Sequence, residues 1–259
     1  MSENLGQALD NAARVILSSR YTVALVGAGI SVESGIPPFR GPGGLWTRFG
    51  EPDMRGYERF LADPKGWWEA RLRPEGYQGE FRDAIERAQP NAGHYALAEL
   101  ETLGLLGCII TQNVDNLHQA AGSHRVAEIH GNRFKLRCIA CNARFEMDEL
   151  PLDELPPQCP RCSGIVKGDG VMFGEPIPSD VLRWCQEETY RCDCFMLVGT
   201  SAVVYPAAAF PLTAKSQGAA LIEINPMETA LSRQCDVILR GPSGQVLPLL
   251  VARLKELRV

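Results

Sequence analysis

Four cysteines in two closely spaced pairs form the most specific chemical pattern in the sequence. Cys138 and Cys141 make one Cys-x-x-Cys pair, and Cys159 and Cys162 make a second pair after a 17-residue spacer. Each short turn presents two thiolates, so the two pairs together offer four ligands to one tetrahedral zinc ion. Such a site has no open coordination position, which predicts a structural metal, one per chain, and not a metal that activates water. The alternative is that these cysteines are unligated or redox-active.

A glycine-rich segment directly follows the first apolar run. Residues 22–26 are apolar and β-branched and predict a strand, which leads into Gly-Ala-Gly-Ile-Ser at 27–31 and Ile-Pro at 36–37. Glycines at the end of a strand permit a tight turn and let the backbone approach a phosphate group. The spacing departs from Gly-x-Gly-x-x-Gly, so by itself the segment is equally consistent with a structural turn.

Polar residues also follow other predicted strands. Thr200 and Ser201 follow the strand at 195–198, Asn225 follows the strand at 221–224, and Ser243 lies in a Gly-Pro-Ser-Gly turn. In an open parallel sheet, ligands bind beyond the carboxyl ends of the strands. Several polar strand ends in one sheet therefore predict an extended ligand such as a dinucleotide.

Six motifs occur in an order that resembles the signature set of the sirtuins, from about Val23 to Leu250. They are Gly27–Ser31 through Phe39-Arg40-Gly41, Thr111–His118, His130-Gly131-Asn132, the four cysteines, Phe173-Gly174-Glu175 and Gly199-Thr200-Ser201. The chain is similar to sirtuins of the bacterial and archaeal type and in part to their desuccinylase-like branch. The resemblance implies an NAD-dependent protein lysine deacylase, a deacetylase with desuccinylation as a further activity. Its expected products are free lysine, nicotinamide and O-acyl-ADP-ribose, and its expected partners are acyl-lysine side chains of proteins.

The resemblance also assigns catalytic roles. His130 matches the sirtuin base, and an imidazole suits the removal of a proton from a ribose hydroxyl near neutral pH. Asn113 and Asp115 fall at the ribose and nicotinamide end of the cofactor, where a carboxylate stabilises developing positive charge. The residues that the resemblance places against NAD are Gly27, Ala28, Gly29, Ile30, Ser31, Ile36, Pro37, Phe39, Arg40, Trp46, Gln112, Asn113, Asp115, Gly199, Thr200, Ser201, Asn225 and Ser243.

The acyl pocket is where the sequence departs from the desuccinylase-like pattern. That branch carries a Tyr-x-x-Arg pair, and the matching segment here places Trp68 at the tyrosine and Arg71 at the arginine, with Pro42 in place of an alanine. Three residues apart on a helix, the two side chains share a face. The alternative is a solvated Arg71 and a core-packed Trp68. The expected substrate-binding residues are Trp68, Arg71, Val171, Phe173, Gly174 and Glu175.

Two other functions use the same features. A mono-ADP-ribosyltransferase would transfer the label from the cofactor to protein, and a non-catalytic module would bind NAD or acyl-lysine without releasing nicotinamide. His130 and Asn113 argue against the second.

Short β-branched runs alternate with amphipathic helical patterns along the chain, which predicts an α/β fold. We expect a Rossmann-like parallel sheet with helices on both faces, plus a small lobe that combines a zinc ribbon with a helical insertion. The predicted strands are 22–26, 108–111, 195–198, 221–224 and 237–239, and the predicted helices include 92–103, 181–188, 206–216 and 245–257.

Two segments interrupt the alternation and predict the domain bounds. Residues 1–40, 90–132 and 168–259 form the expected NAD-binding domain, and residues 41–89 and 133–167 form the expected small lobe. The formal charge of −5 gives no basic excess, so we expect neither direct nucleic-acid binding nor membrane binding. With paired cysteines of metal-binding type and no export signal, a cytoplasmic location is expected.

Overall fold

The computed structural model describes residues 3–258. The predicted domain bounds include Met1, Ser2 and Val259, which lie outside the described residues.

A six-stranded parallel sheet forms the centre of the larger domain. Its strands are β1 (Thr22–Val26), β2 (Cys108–Thr111), β3 (Val126–Glu128), β7 (Cys194–Val198), β8 (Ala220–Ile224) and β9 (Val237–Leu239). The order across the sheet is β3-β2-β1-β7-β8-β9, and every neighbouring pair is parallel. If the six strands of this sheet are numbered 1 to 6 along the chain, their order is 3-2-1-4-5-6, which is the order of Rossmann folds. The topological switch point lies between β1 and β7.

Helices cover both faces of this sheet because the strands are apolar on both sides. In β1, Ala24 and Val26 pack into one buried cluster, and Val23 and Leu25 pack into the cluster on the opposite face. The ten α-helices of the described residues are α1 (Glu3–Ser18), α2 (Leu45–Phe49), α3 (Gly56–Ala62), α4 (Pro64–Leu72), α5 (Gly76–Arg87), α6 (Ala92–Thr102), α7 (Leu117–Ala120), α8 (Ser179–Arg191), α9 (Phe210–Ser216) and α10 (Ser243–Leu257). Helices α1, α6 and α10 cover the first face, and α8 and α9 cover the second.

The two insertions build the small lobe together. The second insertion folds into an antiparallel three-stranded sheet of β4 (Lys135–Cys138), β5 (Arg144–Glu146) and β6 (Val166–Gly168), in the order β5-β4-β6. The first insertion contributes α2 to α5, and Trp68 on α4 packs into the buried cluster of the zinc-ribbon segment. Because β6 ends at Gly168, the small sheet extends one residue past the predicted bound at 167.

The predicted fold class is confirmed. All five predicted strands form, and β7 and β8 each begin one residue earlier than predicted. Strand β3 was missed because it contains only three residues, which is too short a run to distinguish from loop sequence. No helix within residues 3–258 combines the length and the apolar composition that a membrane crossing requires.

Candidate active site

The ends of β1 and β7 approach each other closely at the switch point. The amide of Gly27 donates to the carbonyl of Val198 at 3.0 Å, and the amide of Gly29 donates to the carbonyl of Gly199 at 2.8 Å. A Cβ atom on Gly29 would lie 2.6 Å from the oxygen of Gly199, so a larger residue does not fit there. The chain then forms a 3-10 helix over Ala28–Ser34, in which Ile30 and Ser31 are buried.

A buried cluster of polar side chains lies beside this turn. The hydroxyl of Ser31 donates to Asp115 Oδ2 at 2.7 Å and accepts from the amide of Asn113 at 3.1 Å. The same amide of Asn113 donates to the carbonyl of Gly27 at 3.3 Å. Burial raises the pKa of Asp115 above its ordinary value, and the hydrogen bond from Ser31 offsets part of that rise. The glycine turn, the Asn113 amide and the Asp115 carboxylate, which the sequence assigned to the cofactor site, are therefore linked by hydrogen bonds in one cluster.

Side chains from three further strand ends face the same edge of the sheet. The Gln112 side chain donates to Thr200 Oγ1 at 2.8 Å, and the Asn225 amide donates to the carbonyl of Thr200 at 3.1 Å. Ser243 begins α10 and is buried, and its hydroxyl has no hydrogen-bond partner among the described residues. Ser201 is exposed at the same edge.

His130 lies where the chain leaves β3. Its Nδ1 is 3.2 Å from the carbonyl oxygen of Gln112, which can only accept a hydrogen bond. The proton of the neutral ring is therefore on Nδ1, and Nε2 is the nitrogen that can take up a proton. Burial lowers the pKa of His130 below its ordinary value, and the contact with Gln112 opposes this shift only in part. A neutral imidazole with one free nitrogen is suited to general base catalysis near neutral pH.

Aromatic rings join the loop before α2 to the segment that follows β6. The ring centre of Trp46 is 4.8 Å from that of Phe39 and 5.6 Å from that of Phe173. The guanidinium of Arg40 lies over the Trp46 ring at 4.4 Å and pairs with Glu51 at 3.3 Å. Phe39, Trp46 and Phe173 thus form a continuous apolar wall.

The segment 171–175 is anchored at both ends. The amide of Val171 donates to the carbonyl of His130 at 2.9 Å, and the amide of Tyr57 donates to the carbonyl of Phe173 at 3.0 Å. Gly174 has a φ of +80°, which favours glycine, and the Glu175 side chain is buried. Among the sequence-predicted substrate residues of this segment, Val171 is therefore hydrogen-bonded directly to the backbone of His130.

Trp68 lies in the core of the small lobe. Its side chain is completely buried, and its indole N–H donates to the carbonyl of Val166 at 2.9 Å. The expected contact of Trp68 with an acyl group stays a prediction, since the ring presents no exposed surface in this structure. The core-packed alternative describes this residue.

Arg71 is half-buried and uses its guanidinium to contact the backbone of the second insertion. Its Nη2 donates to the carbonyl of Arg133 at 3.0 Å, and the guanidinium lies close to Gly168 and 5.6 Å from the centre of the Trp67 ring. Burial lowers the pKa of Arg71 to about 10. Within residues 3–258 it forms no salt bridge, so a half-buried cation stands at the junction of the two insertions without a carboxylate partner.

The four paired cysteines meet at one point of the small lobe. All four sulfur atoms lie within 4.8 Å of one another, with Cys138 and Cys162 at 3.5 Å and Cys141 and Cys159 at 3.7 Å. A tetrahedral zinc ion with bonds of about 2.3 Å requires sulfur atoms about 3.8 Å apart. The arrangement fits that requirement.

Comparison with known proteins decides the family. The model of the Sir2 family matches residues 27–206, which include the glycine turn, His130, the four cysteines and the polar end of β7. The chain belongs to the Sir2 family.

Three similar proteins illustrate the extent of the match. An NAD-dependent protein deacylase 2 of Pyrobaculum aerophilum is 44% identical over 246 residues, covering 95% of this chain and 96% of that protein. A Sir2 homolog solved as an NAD complex is 43% identical with a TM-score of 0.80, covering 96% of this chain and 95% of that chain. A Sir2 structure with p53 peptide and NAD+ is 31% identical with a TM-score of 0.76, covering 93% and 96%.

Within this Sir2 chain, contacts join Ser31, Gln112, Asn113, Asp115, Thr200 and Asn225 at the sheet edge, and Phe39, Arg40, Trp46 and Phe173 in the aromatic wall. Ile30 and Ile36 instead pack into buried apolar clusters, Ile36 with Ile85 and Leu117 next to the half-buried Pro37. Sequence reasoning missed Phe81, whose ring centre is 5.2 Å from that of Phe39. Its only sequence signal is an apolar position in the amphipathic pattern of α5.

Proposed function

We propose that this Sir2 protein is an NAD-dependent protein lysine deacylase that releases nicotinamide and O-acyl-ADP-ribose. The observation that carries the proposal is His130, whose Nδ1 faces the carbonyl of Gln112 next to the buried Ser31, Asn113 and Asp115 cluster. The base, the amide and the carboxylate therefore all lie at the carboxyl edge of the sheet, where ligands bind in folds of this kind.

The residues at the sheet edge fit NAD. The buried hydroxyl of Ser243 has no hydrogen-bond partner within residues 3–258, and a polar group of the ligand would supply one. Gln112, Thr200 and Asn225 offer further polar groups for the sugars. When bound, NAD supplies an electrophilic ribose carbon and nicotinamide as the leaving group.

The protein side chains would then have separate roles in the reaction. Asp115 stabilises positive charge near the ribose, and Ser31 and Asn113 hold that carboxylate in place. His130 removes a proton from a ribose hydroxyl through Nε2. Phe39, Trp46 and Phe173 exclude water from the reacting atoms. One water molecule is consumed for each acyl group that moves from lysine to ADP-ribose.

The same residues suit an acyl-lysine partner. Val171, whose amide donates to the carbonyl of His130, and Phe173 would supply apolar side chains to the acyl-lysine, and Gly174 and Glu175 would shape the turn that follows. We propose acetyl-lysine as the main substrate, because it needs no charged partner. Arg71, as a half-buried cation without a salt bridge in the described chain, supports a secondary activity on acidic acyl groups such as succinyl.

The small lobe would hold a structural zinc ion through Cys138, Cys141, Cys159 and Cys162. The sulfur distances support this assignment, and four thiolates leave the metal no open position. Thiolate ligands must stay reduced, which supports a cytoplasmic location.

We also propose the domain division 1–40, 90–132 and 168–259 against 41–89 and 133–167. The support is that Trp68 of the first insertion is buried in the cluster formed by the second insertion.

A product assay tests the proposal. The protein is incubated with NAD and acetyl-, butyryl-, succinyl- and glutaryl-lysine peptides, and the products are identified by mass spectrometry. The expected result is free lysine peptide, nicotinamide and O-acyl-ADP-ribose in equal amounts. Transfer of the ADP-ribose label to protein would indicate a mono-ADP-ribosyltransferase, and NAD binding without nicotinamide release would indicate a non-catalytic module.

A further inference from the structure

Lys167 is a completely buried lysine to which the proposed reaction assigns no role. It lies on β6, and its Nζ donates to the carbonyl of Gly168 at 2.8 Å and to that of Gly170 at 2.7 Å. Its third partner is Glu175 Oε2 at 3.1 Å. An ammonium group has three donors, so all three are used, and two of the acceptors lie on the backbone that leads into Val171.

Glu175 connects this lysine to a second buried cation. Its Oε1 accepts from Arg137 at 2.5 Å, and its Oε2 accepts from the amide of Met172 at 2.9 Å. Arg137 also donates through Nε to Asp169 Oδ1 at 3.0 Å. The four side chains comprise two cations and two anions, each at most 4% exposed, and the partly exposed Arg144 also pairs with Asp169 at 3.3 Å.

The network surrounds the segment that faces the acyl group. Gly168 and Gly170 precede Val171, and Met172 lies between Val171 and Phe173. Asp169 also accepts from the amide of Asn132 at 3.1 Å, two residues after His130. The ionic contacts therefore fix both ends of the segment relative to the proposed base.

We propose that Lys167, with Glu175 as its ionic partner, is a positioning residue that holds segment 170–174 against His130 for acyl-lysine binding. The kinetic part of the inference rests on the proposed function. Lys167 does not touch the acyl group in this scheme, and it acts through the backbone carbonyls of Gly168 and Gly170.

The energetics of buried ion pairs provide a specific test. Removing one partner leaves an uncompensated buried charge, whereas removing one cation and one anion together keeps the charges balanced. The two single changes and the double change should therefore be strongly non-additive. A residue that only fills space would not show this pattern.

The experiment compares Lys167→Met, Glu175→Gln and the double variant, with Lys255→Met as control. Lys255 forms an exposed ion pair with Glu99 on α6, remote from this segment. Each single change should raise the KM for the acetyl-lysine peptide at least tenfold, with the KM for NAD within threefold of the parent. The double variant should stay within threefold of Glu175→Gln, instead of reaching the hundredfold product.

Hydrogen–deuterium exchange of the zinc-loaded protein gives a readout that does not depend on activity. Exchange across residues 169–176 should accelerate in both single variants and, like the KM, should be no faster in the double variant than in Glu175→Gln, while residues 138–162 and the zinc content stay unchanged. If Lys167→Met alone does not fold, Glu175→Gln and the double variant still test the inference. The inference requires that adding Lys167→Met to Glu175→Gln does not raise the KM further.

Two results would overturn the inference. One is multiplicative losses in the double variant, and the other is unchanged exchange over 169–176 in the single variants. Failure of the proposed function looks different, since the parent protein itself would then release no nicotinamide while the exchange pattern could still be measured.

Discussion

The proposed role of His130 as a base depends on one backbone contact and on burial. The carbonyl of Gln112 fixes the proton on Nδ1, and burial keeps the ring neutral. Asp115 shows the opposite shift for the same reason, because burial disfavours the charged carboxylate as well. Two titratable groups with pKa values displaced toward each other by burial are typical of active sites.

Replacement of His130 by alanine should nearly abolish deacylation. Loss of a general base costs about two to four orders of magnitude in rate. The measurement is the rate of O-acyl-ADP-ribose formation at saturating NAD, with thermal denaturation as the check on folding. His124 is exposed and serves as the matched control, since His124→Ala should keep the parent rate. Activity of His130→Ala within tenfold of the parent would contradict the assignment.

The pH profile should follow the lowered pKa of His130. A base works in its neutral form, so kcat/KM should rise with pH through a midpoint below the ordinary value of 6.5 and stay level through neutral pH. The sign follows from burial, which destabilises the protonated ring. A profile measured from about pH 5 to pH 8 checks this. A midpoint above 6.5 would mean that the ring is stabilised in its charged form.

At the scale of elements, the strand ends bring the site together. The register of the sheet pairs Val26 with Thr111 on one side and with Val198 on the other, so the residues after these three strands meet at one edge. Gly29 and Gly199 allow the closest of these approaches. The glycines are required here by the space between two chains, independently of any ligand.

Gly29→Ala should therefore damage both the fold edge and cofactor binding. The new methyl would lie 2.6 Å from the Gly199 oxygen, so β1 and β7 must separate at their ends. We expect the KM for NAD to rise at least tenfold with a lower melting temperature. Gly56→Ala is the control, because its nearest neighbour lies at an ordinary 3.6 Å. An unchanged KM for NAD in Gly29→Ala would separate this turn from the cofactor.

The zinc ribbon should depend on its metal more than the large sheet does. Strands β4 to β6 contain only ten residues in total, and the two cysteine turns hold them together. Cys141→Ala should lower the zinc content from about one per chain toward none, because three thiolates do not close the site. Elemental analysis measures this, and hydrogen exchange should accelerate in 135–168 but not in β1, β2 or β7. Active parent protein without zinc would refute the site.

At the scale of the whole molecule, the two insertions act as one lobe. Trp68 of the first insertion is buried against Leu136 and Val166 of the second, and Arg71 reaches the carbonyl of Arg133. The small lobe contacts the larger domain through Trp46, whose ring lies 5.6 Å from that of Phe173. The two contacting rings come from parts that lie far apart in the sequence.

Arg71→Met tests whether this junction also selects the acyl group. A guanidinium that pairs with the distal carboxylate of succinyl-lysine should give at least a tenfold loss of desuccinylation, which corresponds to about 1.4 kcal/mol. Deacetylation should stay within threefold of the parent. The exposed Arg73, two residues further along, provides the control variant Arg73→Met. Equal small effects on both substrates would restrict Arg71 to joining the insertions.

The sequence by itself determined the features that depend on local spacing. Two Cys-x-x-Cys turns predicted the four sulfur ligands, and β-branched runs predicted five of the six parallel strands. Short-range geometry suffices in these cases, because a Cys-x-x-Cys turn spans four residues and a short β-branched run is typical of a buried strand. The order of motifs was enough for the family.

Only the tertiary structure decided the contacts between distant segments. Ser31 meets Asp115 across 84 positions, and Trp68 reaches Val166 across 98 positions, so no local pattern could indicate either contact. For the same reason Lys167, which reads as an ordinary charged residue in the sequence, is a fully buried ion-pair partner. Burial depends on which segments the fold packs together, and that information lies in the arrangement of the whole chain.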